Sequence, residues 1–327
     1  MKAFVLTEAE PGFRDVPKPE PKAGEVLVRV RAGALNRADL LIAAGHFHGP
    51  GRPGLIIGSE WAGEVAALGE GVTDFSVGQG VMGTGAGFAE FTAARASLLL
   101  PIPDAGLSFE EAACLPVALR TMHNALVTAG GLKPGQTVLI QGASSGVGLM
   151  GLKIAKLMGA RLVIGSSTNA ERRARLAEFG ADLAVDSNDP AWVEQVLGAT
   201  GGEGVDLIVD QVSGPLVNPN MRATKILGRI VNVGRLGGMH AEFDADLHAV
   251  RRITYVGVTF RTRTLPELEA LDHAMKADLW PAVVVGRLSL PIDSVYPFDR
   301  LTEALARMKA NQHFGKIVLS HESQGPN

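Results

Sequence analysis

The segment QTVLIQGASSGVGLMGLKIAKLMGA, residues 136–160, constrains the fold more than any other part of the chain. It begins with an apolar run rich in β-branched residues and continues through a glycine-rich turn. It ends with apolar residues at helical spacing. This order of strand, tight turn and helix, with Gly142, Gly146 and Gly148 in the turn, is typical of a site that holds the pyrophosphate of a dinucleotide. The alternative is a tight turn with close helix–strand packing and no ligand.

The same pattern of strand and helix continues downstream. The predicted strands are TVLIQG, RLVIGS, DLAVD, DLIVDQV and GRIVNVG, with helical segments between them. Such alternation predicts a parallel sheet covered by helices on both faces. The first 100 residues instead contain short strands and turns, as in EVLVRVRAGALN, which indicates a β-barrel or compact sheet. Ser108 and Glu111 form a potential capping box for a helix between the two regions. The chain is therefore predicted to be an α/β protein with two domains.

Length and charge exclude several classes of function. The chain has 327 residues, a net charge of −3 and no block of like charge, which argues against nucleic acid or an anionic membrane as a partner. Cys114 is the single cysteine, so neither an internal disulfide nor a cysteine-rich zinc site is possible. The N-terminal MKAFVLTEAEPGF lacks the apolar run of a signal peptide, and no apolar run is long enough to span a membrane. These features predict a soluble, cytoplasmic protein.

The residues after the second predicted strand indicate which dinucleotide is bound. An NAD site usually has Asp or Glu there to accept hydrogen bonds from the ribose. This chain has the neutral Ser166 and Ser167, followed by Arg172 and Arg173. Serine hydroxyls and an arginine suit a 2′-phosphate, which favours NADPH, although the arginines could also form a solvated helix face. The predicted cofactor-binding residues here are Ala143, Ser144, Ser145, Gly146, Val147, Gly148, Ser166, Ser167 and Arg172.

Motifs along the whole chain resemble the medium-chain dehydrogenase/reductase superfamily, and within it the zinc-independent, zeta-crystallin-like quinone oxidoreductases. The matching segments are GEVLVRVRAGALNRADL, GSEWAGEVAALGEGVTDFSVGQGVMG, FEEAACLPVALRT, the glycine turn with its flanks, GVDLIVDQVSG and ANQHFGKIVL. The resemblance implies a GroES-like catalytic domain (residues 1–120 and 257–327) and a Rossmann NADP-binding domain (residues 121–256), with the active site in the cleft between them.

Zinc alcohol dehydrogenases share this fold, so a catalytic metal must be considered separately. The resemblance places their first cysteine ligand in the segment Asn36–Asp39 and their histidine ligand at Ser59. A zinc site needs three protein ligands of Cys, His or carboxylate type, and these positions do not supply them. His46, His48 and Cys114 are spread without ligand spacing and are interpreted as loop histidines and a small buried hydrophobe. We therefore expect no catalytic zinc.

Without a metal, the chemistry that the family implies is hydride transfer from NADPH to a small electrophile, a quinone or an α,β-unsaturated carbonyl. Asn36 is predicted to bind the substrate oxygen or a ribose hydroxyl, or else to stabilise a turn, with Asp39 as a helix cap. Phe47 is predicted to line the entrance, and His46 or His48 either protonates the product or lies on a surface loop. Leu41, Ala43 and Phe47 replace the tyrosine and arginine that this branch often has, which makes the pocket more apolar.

The resemblance assigns further residues to the cofactor. Thr121 and His123 are predicted to border the nicotinamide, with Gly234, Phe260 and Arg261 on the other side. Lys316 either reaches the cofactor or is an ordinary lysine on an edge strand. The apolar segment RITYVGVTF, in which the branch commonly pairs two subunits, predicts a homodimer. Two alternatives to a zinc-independent NADPH-dependent reductase remain. One is a crystallin-like NADPH-binding protein with little turnover, and the other is a zinc alcohol dehydrogenase, which is disfavoured.

Overall fold

A computed structural model describes residues 1–8, 10–45, 53–103 and 106–321, and it divides into two compact units. The first comprises Met1–Val117 and Pro281–Asn327, and the second Ala118–Trp280. The domain boundaries predicted from the sequence are 120/121 and 256/257, and the two compact units divide at 117/118 and 280/281. On the helix Leu265–Val284, Asp272 forms a salt bridge with Arg120, and Asp278 lies 2.7 Å from Nε2 of His123.

The N-terminal part of the first unit consists of short strands and short helices. In chain order its elements are β1 (Lys2–Val5), β2 (Gly12–Asp15), β3 (Glu25–Ala34), α1 (Arg37–Ala43), β4 (Glu60–Leu68), β5 (Gly80–Thr84), β6 (Phe91–Arg95), β7 (Leu100–Pro101) and α2 (Phe109–Ala113). The alternating Val26, Val28 and Val30 of β3 are buried, as their spacing predicts. The predicted capping box is confirmed, since Ser108 and Glu111 exchange both hydrogen bonds at the start of α2.

The second unit alternates strands and helices. After α3 (Pro116–His123) and one π-helical turn (Asn124–Thr128) come β8 (Thr137–Gln141), α4 (Gly146–Leu157), β9 (Leu162–Ser166), α5 (Ala170–Ala174), β10 (Leu183–Val185), α6 (Trp192–Ala199), β11 (Val205–Asp210), α7 (Val217–Ala223), β12 (Thr224–Asn232), α8 (Ala245–Arg251), β13 (Thr254–Gly257) and α9 (Leu265–Val284). The strands form one parallel sheet in the order β10-β9-β8-β11-β12-β13. In such a doubly wound sheet the strand order reverses between β8 and β11, and ligands bind at that point, beyond the carboxyl ends of the strands.

The chain then returns to the first unit with β14 (Ile292–Pro297), α10 (Leu301–Lys309) and β15 (Lys316–Ser320). The main sheet of this unit has the order β14-β15-β3-β4-β5-β7, and β6 also pairs with β3. Because β15 lies between β14 and β3, Lys316 is not on an edge strand, so that interpretation was wrong. The predicted α/β architecture is confirmed. Among the helices that the structure describes, none is long and apolar enough to cross a membrane.

Candidate functional site

The turn between β8 and α4 has the geometry of an anion-binding site. Gly142 adopts a φ of +71°, which favours glycine. Ser145 is the N-cap of α4, and its Oγ accepts a hydrogen bond of 3.0 Å from the N–H of Gly148. The N–H groups of Gly146 and Val147 have no partner within the helix because they lie in its first turn. Together with the helix dipole they favour a phosphate at this position.

Glycine is required at position 148 by close packing. A Cβ on Gly148 would lie 2.6 Å from the carbonyl oxygen of Gly142 and 2.7 Å from the Cα of Ala143. The helix therefore starts directly against the end of β8, which leaves the backbone of the turn uncovered by a side chain at this point. A cradle of this kind fits the pyrophosphate of a dinucleotide.

Neighbouring strands hold this turn from both sides. From β9, Ser166 accepts from the N–H of Gly142 at its Oγ (3.0 Å) and from the N–H of Ala143 at its carbonyl (2.8 Å). From the end of β11, Gln211 donates to the carbonyls of Gln141 (3.1 Å) and Gly142 (3.2 Å). The buried hydroxyl of Ser166 also donates to the side chain of Gln141, so it links the end of β8 to the start of the turn.

Serine and arginine side chains meet at the end of β9. Ser167 donates from its Oγ to the Oγ of Ser144 at 3.0 Å. Arg173 donates to the carbonyl of Ser167 at 2.8 Å and pairs with Asp186 at 3.0 Å. Arg172 lies in the first turn of α5. The strand ends in neutral hydroxyl groups, as the sequence predicted, with two arginines in the helix that follows.

A buried polar cluster in the first unit surrounds Lys316. Its ammonium donates to the carbonyl of Leu35 (3.0 Å), to Oδ1 of Asn36 (3.0 Å) and to Oε1 of Glu60 (2.5 Å). The amide of Asn36 donates to the same oxygen of Glu60 at 2.9 Å, and the other oxygen of Glu60 accepts from the N–H of Val117 at 2.8 Å. Both carboxylate oxygens of Glu60 and both amide atoms of Asn36 are therefore engaged within the protein.

Asp39 extends this cluster. Asn36 is the N-cap of α1, and Asp39 accepts from the backbone N–H of Asn36 at 2.7 Å, so Asp39 stabilises the helix start from its third position. Its other oxygen accepts from the hydroxyl of Ser59 at 2.6 Å. Burial raises the pKa of Asp39 from 3.8 to about 6, although both hydrogen bonds and the nearby Lys316 act in the opposite direction. Burial thus outweighs the favourable contacts and keeps the pKa of this carboxyl group above its ordinary value.

No metal site emerges from the described residues. Within them, no three His, Cys, Asp or Glu side chains are grouped as metal ligands. Cys114 is buried, its Sγ contacts the carbonyl of Glu110 at 3.1 Å, and burial raises the pKa of its thiol. The predicted His46, Phe47 and His48 lie outside the described residues.

The remaining predicted residues lie in the second unit. Thr121 is partly exposed on α3, and His123 is buried with its Nε2 2.7 Å from Asp278. Gly234 follows β12 and packs against Gln211, whose carbonyl oxygen would lie 2.5 Å from a Cβ at position 234. Phe260 is partly exposed and Arg261 is exposed beyond β13. The structure thus gathers the turn, Ser166, Ser167 and Gly234 at the carboxyl ends of the strands, while Asn36 and Lys316 belong to the first unit.

Gln211 is the residue that sequence reasoning missed. One signal pointed to it, because it directly follows the strand DLIVD, and polar residues at the carboxyl end of a central parallel strand are placed to contact a ligand.

Comparisons with known proteins identify the family. The sequence model for the alcohol dehydrogenase GroES-like domain matches residues 22–104, and that for the zinc-binding dehydrogenase domain matches residues 146–274. An alcohol dehydrogenase superfamily protein from Novosphingobium aromaticivorans is 30% identical with a TM-score of 0.87, and the match covers 98% of this chain and 100% of that one. A mycobacterial protein solved in complex with NADPH is 27% identical with a TM-score of 0.88, covering 98% and 100%. The CurK enoyl reductase is 25% identical with a TM-score of 0.86, covering 98% and 99%.

Several of the curated relatives are much longer proteins. A phenolphthiocerol/phthiocerol polyketide synthase subunit from Mycobacterium tuberculosis is 30% identical over 312 residues, which is 95% of this chain but 14% of that protein. The similarity therefore covers a small part of the synthase. With both family domains and the near full-length structural matches, the chain belongs to the medium-chain dehydrogenase/reductase superfamily of oxidoreductases, which includes the alcohol dehydrogenases.

Proposed function

We propose that this protein is an NADPH-dependent oxidoreductase that transfers hydride to a quinone or an α,β-unsaturated carbonyl without zinc. The observation that carries the proposal is the end of β9, where Ser167 bonds Ser144 beside the glycine turn and no Asp or Glu stands between the strand and Asn169, the N-cap of α5. A 2′-phosphate accepts hydrogen bonds from hydroxyl groups, whereas an Asp or Glu at this place would repel it.

The residues fit a bound NADPH in two places. The first-turn N–H groups of α4 suit the pyrophosphate, and Ser144, Ser167 and Arg172 or Arg173 suit the 2′-phosphate. The structural neighbour solved with NADPH supports this assignment. When bound, the cofactor supplies a hydride from its nicotinamide ring.

The cluster around Lys316 supports the absence of a catalytic zinc. Asn36 and Ser59 stand where the zinc alcohol dehydrogenases have a cysteine and a histidine, and the buried ammonium already neutralises Glu60. A divalent cation here would lie next to a buried positive charge, with an amide and a hydroxyl in place of two strong ligands. Without a Lewis acid, the suitable substrates are small electrophiles that accept hydride directly.

The test is an acceptor screen with purified, chelator-treated protein. NADPH oxidation should occur with a benzoquinone or an enone, should be faster than with NADH, and should be unaffected by chelation. Stoichiometric zinc whose removal abolishes activity would refute the zinc-free mechanism. Tight NADPH binding without turnover on any acceptor would instead favour the crystallin-like alternative.

A further inference from the structure

We propose that Gln211 is a positioning residue for the pyrophosphate-binding turn, an inference that rests on the proposed NADPH site. Gln211 directly follows β11, which is the neighbour of β8 in the sheet. The turn from Gly142 to Gly148 directly follows β8. Gln211 therefore lies where the strand order reverses, next to the segment that it would position.

The side chain of Gln211 uses each of its polar atoms on this turn. Its Nε2 donates to the carbonyls of Gln141 and Gly142, at 3.1 and 3.2 Å. Its Oε1 lies 3.2 Å from the Oγ of Ser145, whose single proton has two acceptors in reach, this oxygen and the carbonyl of Gly142 at 3.0 Å. Gln211 is only 6% exposed, so these bonds are shielded from water and an unpaired amide atom would be costly.

Two consecutive peptide groups of the turn are thereby held at both ends. A peptide group is planar, with its C=O and N–H on opposite sides. In the peptide between residues 141 and 142, the carbonyl accepts from Gln211 and the N–H donates to the Oγ of Ser166. In the peptide between residues 142 and 143, the carbonyl accepts from Gln211 and the N–H donates to the carbonyl of Ser166. The two peptide planes are fixed between β9 and β11.

Holding these two peptide groups matters because Gly142 has no side chain to restrict its backbone. Glycine populates many backbone conformations, so holding it in one before the ligand arrives reduces the entropy lost on binding. Gln211 and the carbonyl of Gly142 together surround the hydroxyl of Ser145, the N-cap of the helix whose first N–H groups would face the phosphate. Its effect on the ligand is therefore indirect and passes through the turn.

The backbone of Gln211 is itself fixed by Gly234. A Cβ at position 234 would lie 2.5 Å from the carbonyl oxygen of Gln211, so only glycine allows this approach. This packing gives Gly234 a role that needs no direct contact with the cofactor.

The test compares two ligands that differ in the pyrophosphate. NADPH contains it, whereas 2′-AMP carries the adenosine and the 2′-phosphate without it. Gln211→Leu should raise the dissociation constant of NADPH about tenfold, measured by titration calorimetry, because the loss of buried hydrogen bonds loosens the turn. The same variant should lose clearly less affinity for 2′-AMP, because Ser144 is the one residue of the turn that we place at the 2′-phosphate. Gln195→Leu, on the exposed face of α6, is the matched control and should bind both ligands as the unmodified protein does.

Unchanged NADPH affinity in Gln211→Leu would overturn the inference. A loss of equal size for NADPH and 2′-AMP would also overturn it, since Gln211 would then support the whole unit and not the turn. If Gln211→Leu does not fold, Gln211→Met, which keeps the unbranched side chain, is measured with the same two ligands and the same criteria. If the unmodified protein binds neither ligand, the proposed function itself is wrong, which separates the two failures.

Discussion

The buried contact between Lys316 and Glu60 is a feature of single residues that the local sequence does not reveal. The sequence allowed Lys316 to reach a cofactor or to lie on an edge strand, but its ammonium is buried against Glu60 and Asn36. These partners are 256 and 280 residues away along the chain. No local periodicity encodes such a pair, because strand order brings its members together.

Removing one member of this pair should strongly destabilise the first unit. Lys316→Met leaves the carboxylate of Glu60 buried without its counter-charge, which typically costs about 3–5 kcal/mol in the free energy of unfolding. Chemical denaturation measures the change. The double variant Lys316→Met with Glu60→Gln should recover part of the loss. Disruption of the exposed pair Lys225–Glu203 by Lys225→Met should cost far less, because water screens exposed charges. Equal losses from the buried and exposed pairs would contradict this account.

Asp39 should make stability depend on pH. Its pKa is about 6 in the folded protein against an ordinary 3.8, so the folded state binds this proton more tightly than the unfolded chain. Its contribution is therefore full below about pH 4 and is lost as the pH rises through 6, a change of about 3 kcal/mol at most. The free energy of unfolding relative to Asp39→Asn should fall across this window and stay constant above it. A difference that does not vary between pH 4 and 7 would show that Asp39 titrates normally.

Among the secondary-structure elements, those encoded by one uninterrupted sequence pattern were predictable. Breaks within a predicted helix were not. The β8–turn–α4 unit is confirmed because its strand, glycine turn and helix follow one another in the sequence. The helical segment predicted between the second and third strands is instead split into α5 and a 3₁₀ turn, Leu176–Phe179, that ends at Gly180 with φ +103°. Helical periodicity alone does not distinguish these two forms over so few residues.

Two helical glycines should respond in opposite ways to alanine. In Gly148→Ala the new methyl group meets the backbone of Gly142 and Ala143, so the variant should be destabilised and should bind NADPH more weakly. Gly198 lies on α6 with no atom within 4 Å of an added Cβ, so Gly198→Ala should raise stability by up to about 1 kcal/mol. Thermal unfolding of both variants provides the measurement. Stabilisation by alanine at both positions would mean that α4 does not pack closely on β8.

In the whole molecule, the two compact units divide at 117/118 and 280/281, and the domain boundaries at 120/121 and 256/257 stay predictions. Residues 257–280 lie in the second unit, where Asp272 on α9 forms a salt bridge with Arg120 and Asp278 lies within hydrogen-bond distance of His123. These contacts span more than 150 residues and leave no local signal. The homodimer, likewise, stays a prediction.

The outer strand β13 offers a direct test of that homodimer. Val258 donates its N–H to the carbonyl of Asn232 on β12. Successive N–H groups of a strand point to opposite edges, so the N–H of Tyr255, three residues before Val258, points to the outer edge of the sheet. Light scattering should give twice the chain mass of 34.3 kDa, and Tyr255→Pro should reduce it to one chain by removing an outward donor. Tyr255→Phe keeps the donor and should stay dimeric. A folded proline variant with the dimer mass would exclude this strand as the interface.

In our proposal the neutral end of β9 selects NADPH, and the ratio of the dissociation constants of NADH and NADPH measures that selection. The unmodified protein should favour NADPH by at least about tenfold, since charge-assisted bonds to the 2′-phosphate exist only for that cofactor. Ser167→Asp places a carboxylate beside Ser144 and should reverse the preference, with unfolding stability as the control for intact structure. Equal affinity of the unmodified protein for both cofactors would contradict the claim.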